Sequence, residues 1–306
     1  MEIIGTLPPP HQFDQLRRVA EHPLIDSARF NIGARTPDSP KVTLEKLLKV
    51  MDGKKFWLDI KGRQLRITKW ADQRFGDIEL NHPIRVQLPA TIYFRGNQSS
   101  IITAITDNKI YVDPDPPSAL GAGQAINIIG EGLEIDGYFT EEDLQYIEAA
   151  KELNIHNYML SFVEKESDIA DLVQLDPLAN IVAKIESPKG MQFVTDIFPH
   201  YKGKIQLMAA RDDLFINIGQ NKLDILPALK TIITQDENAI VASRIATSFE
   251  KDAVVSLGDI SDMKLMQEWG YKSFMLSDGI CAKKEPFLDA MMLLSNFKRQ
   301  YGEIAE

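Results

Sequence analysis

The run Asn180-Ile181-Val182-Ala183-Lys184-Ile185 has the length of one strand, is rich in β-branched residues and is followed at once by Glu186. Working outward, runs of the same character stand on its N-terminal side at Glu2–Leu7, Ser27–Ile32, Lys55–Ile60 and Asn157–Phe162. On its C-terminal side they stand at Lys204–Ala210, Ala239–Ile245 and Lys272–Ser277. Each is followed by an amphipathic stretch of helical period. Eight strand-plus-helix units make an α/β fold of the (β/α)8 TIM-barrel type, and the chain without its middle segment has about the 250 residues such a barrel needs.

The helices carry their own punctuation. One is expected from near His11, with Phe13, Leu16 and Val19 on one face. A second, after Pro37 and Pro40, is expected to be capped by Thr43 and to bury Leu44, Leu47, Leu48 and Met51. Thr140 reads as an N-cap followed by Glu141, Glu142 and Asp143, with Leu144, Ile147, Ala150 and Leu153 on one face.

Between about Trp70 and Gly132 the pattern changes to short strand-like segments, Ile84–Leu88, Thr91–Arg95, Ile101–Ile105 and Lys109–Val112. This predicts a small all-β domain inserted after the third strand, spanning 70–131, with the barrel formed by 1–69 and 132–306. Asp107-Asn108 suits a hairpin turn, and Pro114-Asp115-Pro116-Pro117 a stiff exit. Gly121, Gly123, Gly130 and Gly132 read as turns and bulges, since no strand-to-helix junction surrounds them to make a phosphate loop.

Composition narrows the function. Lys and Arg number 34 against 44 Asp and Glu, a net charge of −10. Phosphate-backbone binding draws on basic residues, so nucleic acid is a poor partner. The single cysteine, Cys281, excludes an intrachain disulfide and a thiolate zinc cluster. Neither a leader nor a membrane-length apolar run is visible, which points to a cytoplasmic setting and makes the sequon at Asn97 irrelevant.

Chemistry in such a barrel lies at the C-terminal ends of the strands. Those ends carry Arg29 and Asn31, Asp59, Ser161, Lys184 and Glu186, Arg211 to Asp213, Ser243 and Arg244, and Ser277 with Asp278. Lys184 and Glu186 alternate with Ala183 and Ile185, so both side chains point into the mouth. A structural ion pair at the rim explains that pair as well as a catalytic role does. Glu186 and Asp213 offer two hard oxygen ligands suited to Mg²⁺ or Mn²⁺. None of the five histidines falls at a strand end, which removes histidine-zinc and Ser-His chemistry. The inventory suits a small, highly anionic substrate.

These same ends resemble the pyruvate kinase family. Ala28-Arg29-Phe30-Asn31 is similar to the family's Arg-x-Asn strand, and Leu58-Asp59-Ile60-Lys61-Gly62-Arg63-Gln64-Leu65-Arg66 to its Leu-Asp-x-Lys-Gly-Pro-Glu-Ile-Arg segment. Thr140 to Leu144, Ser161 to Val163, Ala183-Lys184-Ile185-Glu186, Ala210-Arg211-Asp212-Asp213-Leu214 and Phe274 to Ser277 resemble its later motifs in order. The resemblance implies a transferase that moves phosphate from phosphoenolpyruvate to ADP, the step of glycolysis that yields pyruvate and ATP. It implies Lys184, Arg29 and Ser243 as catalytic residues, with Arg66, Arg211 and Asp212 also touching substrate. It further implies a divalent ion on Glu186 and Asp213, and potassium at Asn31 and Asp59.

The departures point elsewhere. Gly33 and Ala34 replace the family's serine and histidine after Arg-x-Asn, removing one potassium ligand, and Asp212 replaces a glycine beside the metal site. The insertion is short, and the family's C-terminal domain is expected to be absent. Two alternatives therefore stand: a Mg²⁺-dependent enolate lyase or decarboxylase acting on a 2-oxo acid, and a non-catalytic binding protein. Helical surfaces at Lys264–Gly270 and Phe287–Tyr301 could support a homo-oligomer, although Trp269 and Met291 read as core rather than interface.

Overall fold

The computed structural model describes residues 1–69, 77–94, 98–116, 120–219 and 221–301. Trp70, Arg95, Asn97 and Pro117 lie outside the described residues.

The chain opens with β1 (Glu2–Thr6), α1 (Phe13–Ala20), β2 (Ser27–Asn31), α2 (Pro40–Met51) and β3 (Lys55–Ile60). Seven short strands follow: β4 (Ile78–Glu79), β5 (Ile84–Arg85), β6 (Ala90–Phe94), β7 (Gln98–Thr106), β8 (Lys109–Asp113), β9 (Asn127–Ile129) and β10 (Glu134–Ile135). The alternation then resumes with α3 (Glu141–Glu152), β11 (Asn157–Leu160), α4 (Glu166–Leu175), β12 (Asn180–Ile185), α5 (Pro188–Gln192) and β13 (Gln206–Ala210). It ends with α6 (Arg211–Asn217), α7 (Ile225–Gln235), β14 (Ile240–Ala242), α8 (Leu257–Glu268), β15 (Ser273–Met275), α9 (Asp278–Cys281) and α10 (Lys284–Tyr301).

Eight strands close into one parallel barrel in the order β1-β15-β14-β13-β12-β11-β3-β2. The barrel interior holds a small apolar plug of Ile4, Trp57, Met159, Val182, Met208, Ile240, Ala242 and Met275. Their neighbours along the strands, such as Ile3, Phe30, Leu58, Leu160 and Phe274, face outward into the shell beneath the helices. Strand alternation carries the plug's parity upward: Trp57 is succeeded on the inner face by Asp59, Met159 by Ser161, and Val182 by Lys184 and then Glu186. Arg29 lies in register with Trp57, and Asn31 with Asp59. The charged side chains thus form the layer above an apolar floor.

The strands between β3 and α3 form an antiparallel sheet, β4-β8-β7-β6-β9, and a two-stranded pair, β10-β5. They enclose a separate apolar cluster that includes Ile78, Ile92, Ile102, Ile110 and Ile128. Asp107 takes a left-handed φ of 58° in the turn between β7 and β8.

Several local expectations need correction. Helix α2 starts at Pro40 behind Ser39, whose extended backbone (φ −64°, ψ 159°) is that of an N-cap, because proline's locked φ favours the first helical position. Thr43 lies buried inside that helix. Phe13 is 55% exposed, while Leu16 and Val19 are buried. Leu144 is likewise exposed, at 42%. Thr140 does cap α3, with its hydroxyl accepting from the Asp143 N–H and its own N–H donating to Asp143 Oδ2 at 2.8 Å. Met291 is buried, and Trp269 packs partly buried against the barrel shell. No helix among the described residues is long and apolar enough to cross a membrane.

Candidate active site

Four strand ends deliver one continuous chain of charge, and a fifth adds Ser161. Lys184 Nζ, at the top of β12, donates to Ser161 Oγ at 2.7 Å and to Asp59 Oδ1 at 3.2 Å. It also lies 3.3 Å from Glu186 Oε1. Asp59, on β3, faces Arg29 Nε of β2 at 3.2 Å, and Arg29 Nη1 reaches Asp278 Oδ1, after β15, at 3.2 Å. The order Asp278, Arg29, Asp59, Lys184, Glu186 alternates in sign. Arg29, Asp59, Lys184 and Glu186 are all buried.

The electrostatics follow from that alternation. Burial alone would drive the Lys184 ammonium down, but Asp59 and Glu186 outweigh it and hold the group above its ordinary value. Arg29 is held up in the same way against burial, by Asp278 and Asp59. Burial drives Glu186 up to about 7, with Asp213 and Asp59 pushing in the same direction against Lys184 and the Phe162 N–H. That N–H donates to Glu186 Oε2 at 2.7 Å from a residue with φ 53°, a left-handed conformation unusual for phenylalanine.

Asp213, at the start of α6, accepts from Asn127 Nδ2 at 2.9 Å. Asn217 donates to Asn127 Oδ1 at 2.8 Å and to the Glu186 carbonyl at 3.0 Å. Asn127 belongs to the inserted sheet, so that sheet braces the Asp213 carboxylate directly and, through Asn217, the main chain at Glu186. The donor set fits Mg²⁺ or Mn²⁺: a buried Glu186 raised first by burial and further by the neighbouring Asp213 carboxylate is what a hard divalent cation relieves.

The monovalent-cation residues fit less well. Asn31 Oδ1 accepts from the Gly33 N–H at 2.9 Å, and Asp59 already faces Arg29 and Lys184. Arg66 fills the space at Gly33, where a Cβ would lie 2.7–2.8 Å from its guanidinium. Burial pulls Arg66 down from its ordinary value. The guanidinium contacts Gln64 Oε1 and donates to the Gly123 carbonyl at 2.8 Å, and among the described residues no carboxylate forms an ion pair with it.

Three expected substrate residues lie apart from this chain. Arg211 is buried, with Nη1 at 2.7 Å from both oxygens of Asp262 and its other nitrogens on the carbonyls of Ala242 and Ser243, so it braces the barrel wall instead of facing a ligand. Asp212 is outward and 53% exposed, where it accepts from Arg244 Nε at 2.6 Å. That contact answers the question of a carboxylate beside the metal pair: it points to solvent and has its own cation. Arg244 also sits over the Phe215 ring, 4.7 Å from its centroid. Ser243 and Arg244 have φ of 66° and 56°, which ends β14 earlier than expected and turns both off the strand.

Sequence reasoning passed over Asn127, Asn217 and the Arg63–Asp168 pair. Arg63, in the family's proline position, grips Asp168 with two hydrogen bonds of 2.8 and 2.6 Å and donates to the Phe162 carbonyl at 3.1 Å. A cavity of about 350 Å³ opens between the inserted sheet and the barrel, lined among others by Arg63, Asn127, Phe162, Lys189 and Asn217. It lies beside the carboxylate pair and does not include Arg29, Asp59 or Lys184 in its walls.

Residues 96–286 match the family model described as pyruvate kinase, barrel domain. The pyruvate kinase of Methanocaldococcus jannaschii is 24% identical over 299 residues, covering 92% of this chain and 65% of that protein. The pyruvate kinase of Borreliella burgdorferi is 25% identical over 183 residues, covering 58% of this chain and 38% of that protein. The chain therefore spans less than two thirds of the length of either curated relative.

Proposed function

Because the chain belongs to the pyruvate kinase family, we propose that its barrel mouth transfers the phosphoryl group of phosphoenolpyruvate to ADP, with Mg²⁺ or Mn²⁺ held by Glu186 and Asp213. The observation that carries this reading is the alternating chain Asp278, Arg29, Asp59, Lys184, Glu186, assembled from separate strands at the catalytic end of the barrel.

In the reaction the bond from phosphorus to the enol oxygen breaks and a bond to the terminal oxygen of ADP forms. The electron pair left on the enol oxygen becomes the ketone of pyruvate as the methylene carbon gains a proton. Transfer of this kind needs positioning and charge compensation more than covalent help. Lys184 is suited to compensate the transferring group because its neighbours keep it charged despite burial. Arg29, anchored on both sides by carboxylates, presents a guanidinium in a fixed orientation to an anionic substrate. Arg66 adds a third cation. Ser243, off the end of β14, supplies a hydroxyl near the mouth for the proton delivered to carbon. The divalent ion, when bound, neutralises charge on the phosphoryl and carboxylate oxygens.

The test is pyruvate formation from phosphoenolpyruvate and ADP with Mg²⁺. Lys184→Met is expected to lower kcat by about 10²–10³, the loss typical of removing one preorganised charge donor. A wild-type rate no higher than that of the variant overturns the reading, and turnover of a 2-oxo acid without ADP replaces it with a lyase.

A further inference from the structure

We propose that the cavity between the inserted sheet and the barrel is a binding site for a small apolar molecule carrying one carboxylate, and that filling it strengthens the hold of Glu186 and Asp213 on a divalent ion. The site stands apart from the phosphoryl transfer proposed above, and its coupling to the metal rests on the reading of those two acids as ligands.

The walls define the body of such a ligand. The cavity measures about 350 Å³, within the range of small-molecule sites. Ile126, Ile128, Leu133 and Ile135 line it from the insertion, and Phe162 and Pro188 from the barrel. Ile126 and Ile128 belong to the insertion's own apolar cluster, and Leu133 and Ile135 pack against it, so that wall is held in place without a ligand. A cavity with such walls holds water poorly and takes an apolar occupant.

The charged groups at its edge define the other end. Glu164 is taken up by the protein itself: one oxygen accepts from Ser187 Oγ at 2.5 Å, and the other lies 3.8 Å from Arg63 Nη1. Arg63 in turn is held by Asp168. Lys189 differs. Its ammonium donates to the Leu133 carbonyl at 2.6 Å, and among the described residues no carboxylate pairs with it. An ammonium has three hydrogens to give, so Lys189 can meet an anion at the rim without releasing Leu133.

Position supplies the coupling. Asn127 and Asn217 line the same cavity, and they are the amides that hold the Asp213 carboxylate and the Glu186 carbonyl. The Lys189–Leu133 bond is a further tie between barrel and insertion. A ligand packed between the two fits only the arrangement in which Asn127 reaches Asp213, so it and the divalent ion favour the same state.

The experiment uses the whole chain, with cinnamate as the probe and cinnamyl alcohol as its uncharged counterpart. Calorimetry is expected to show the acid bound at one site and more tightly than the alcohol. Lys189→Gln is expected to weaken the acid by about three- to fivefold, the effect of one exposed charge, and to leave the alcohol unchanged. Leu133→Trp, checked for folding by circular dichroism, fills the space from its wall and is expected to weaken both compounds by about tenfold or more. Paramagnetic resonance titration is expected to show Mn²⁺ binding tightened by about fivefold at saturating cinnamate. Absence of binding, an alcohol held as tightly as the acid, or a folded Leu133→Trp protein that binds unchanged overturns the site. An Mn²⁺ affinity indifferent to cinnamate overturns the coupling. If Mn²⁺ binds in neither state, the metal reading fails and the coupling with it, while the two compounds still decide the site.

Discussion

Asn127, on a strand of the inserted sheet, donates its side-chain amide to Asp213 on the barrel at 2.9 Å. Its own carbonyl oxygen accepts from Asn217, which also holds the main-chain carbonyl of Glu186. One amide therefore ties the orientation of the Asp213 carboxylate, and through Asn217 the main chain at Glu186, to the position of the inserted sheet. Groups in this relation to a metal ligand contribute orientation more than binding contact.

Replacing that amide isolates its effect. Asn127→Ala is expected to weaken Mn²⁺ binding by about 10–100-fold, the usual consequence of removing a ligand's hydrogen-bond partner. Titration of Mn²⁺ by electron paramagnetic resonance measures it directly, and an unchanged affinity would mean that Asp213 is oriented by something else.

Asp59 stands between two buried cations, Arg29 and Lys184. Asp59→Asn keeps the shape and removes the counter-charge, so both cations lose part of their compensation. The expected loss is about 3 kcal/mol of unfolding free energy, typical of breaking a buried ion pair from one side. Urea denaturation monitored by tryptophan fluorescence gives the number. A loss under about 1 kcal/mol would show that Asp278 and Glu186 suffice to hold the two cations.

The exposed pair Asp212–Arg244 behaves differently. With both side chains about half exposed, 53% and 51%, water screens their attraction. Asp212→Gly is expected to shift stability by no more than about 0.5 kcal/mol. The substitution also frees Arg244 from its carboxylate, and a lowered KM for phosphoenolpyruvate is the expected kinetic sign. A raised KM would place Asp212 in substrate binding after all.

The barrel was legible because its strands are buried on both faces and so read as short, mostly apolar runs broken only by the polar residues near their ends. Lys55–Ile60 and Asn180–Ile185 have the same limits in sequence and structure for that reason. Parity along those strands also made the inward aim of Lys184 and Glu186 readable. What stayed hidden depends on partners far along the chain. The Lys184–Asp59 contact joins residues separated by 125 positions, and Asp212 meets Arg244 across 32. Neither separation has a local signature. β9 was missed because three residues among glycines carry no period, and its pairing with β6 is fixed only by the sheet. The early end of β14 depends on left-handed backbone at Ser243 and Arg244, two residues whose side chains favour no such turn.

At the opposite end of the barrel, Asp176 gathers three donors: His156 Nδ1 at 2.7 Å, the Tyr158 hydroxyl at 2.8 Å and the Leu178 N–H at 3.1 Å. Burial alone would raise this carboxyl, but the hydrogen bonds from His156, Tyr158 and Leu178 outweigh it and hold it below the usual carboxylate range. A depressed folded-state value means that the unfolded chain binds the proton more readily. The stabilisation is therefore complete above the unfolded value of about 3.9 and is lost as pH falls through the folded value. Asp176→Asn is expected to lower stability by about 2 kcal/mol at pH 7, in the range for hydrogen bonds to a charged group, and by progressively less below pH 4. Urea midpoints of the two proteins measured from pH 7 down to pH 3 should converge. Parallel curves across that range would show that the ionised form of Asp176 carries none of the difference.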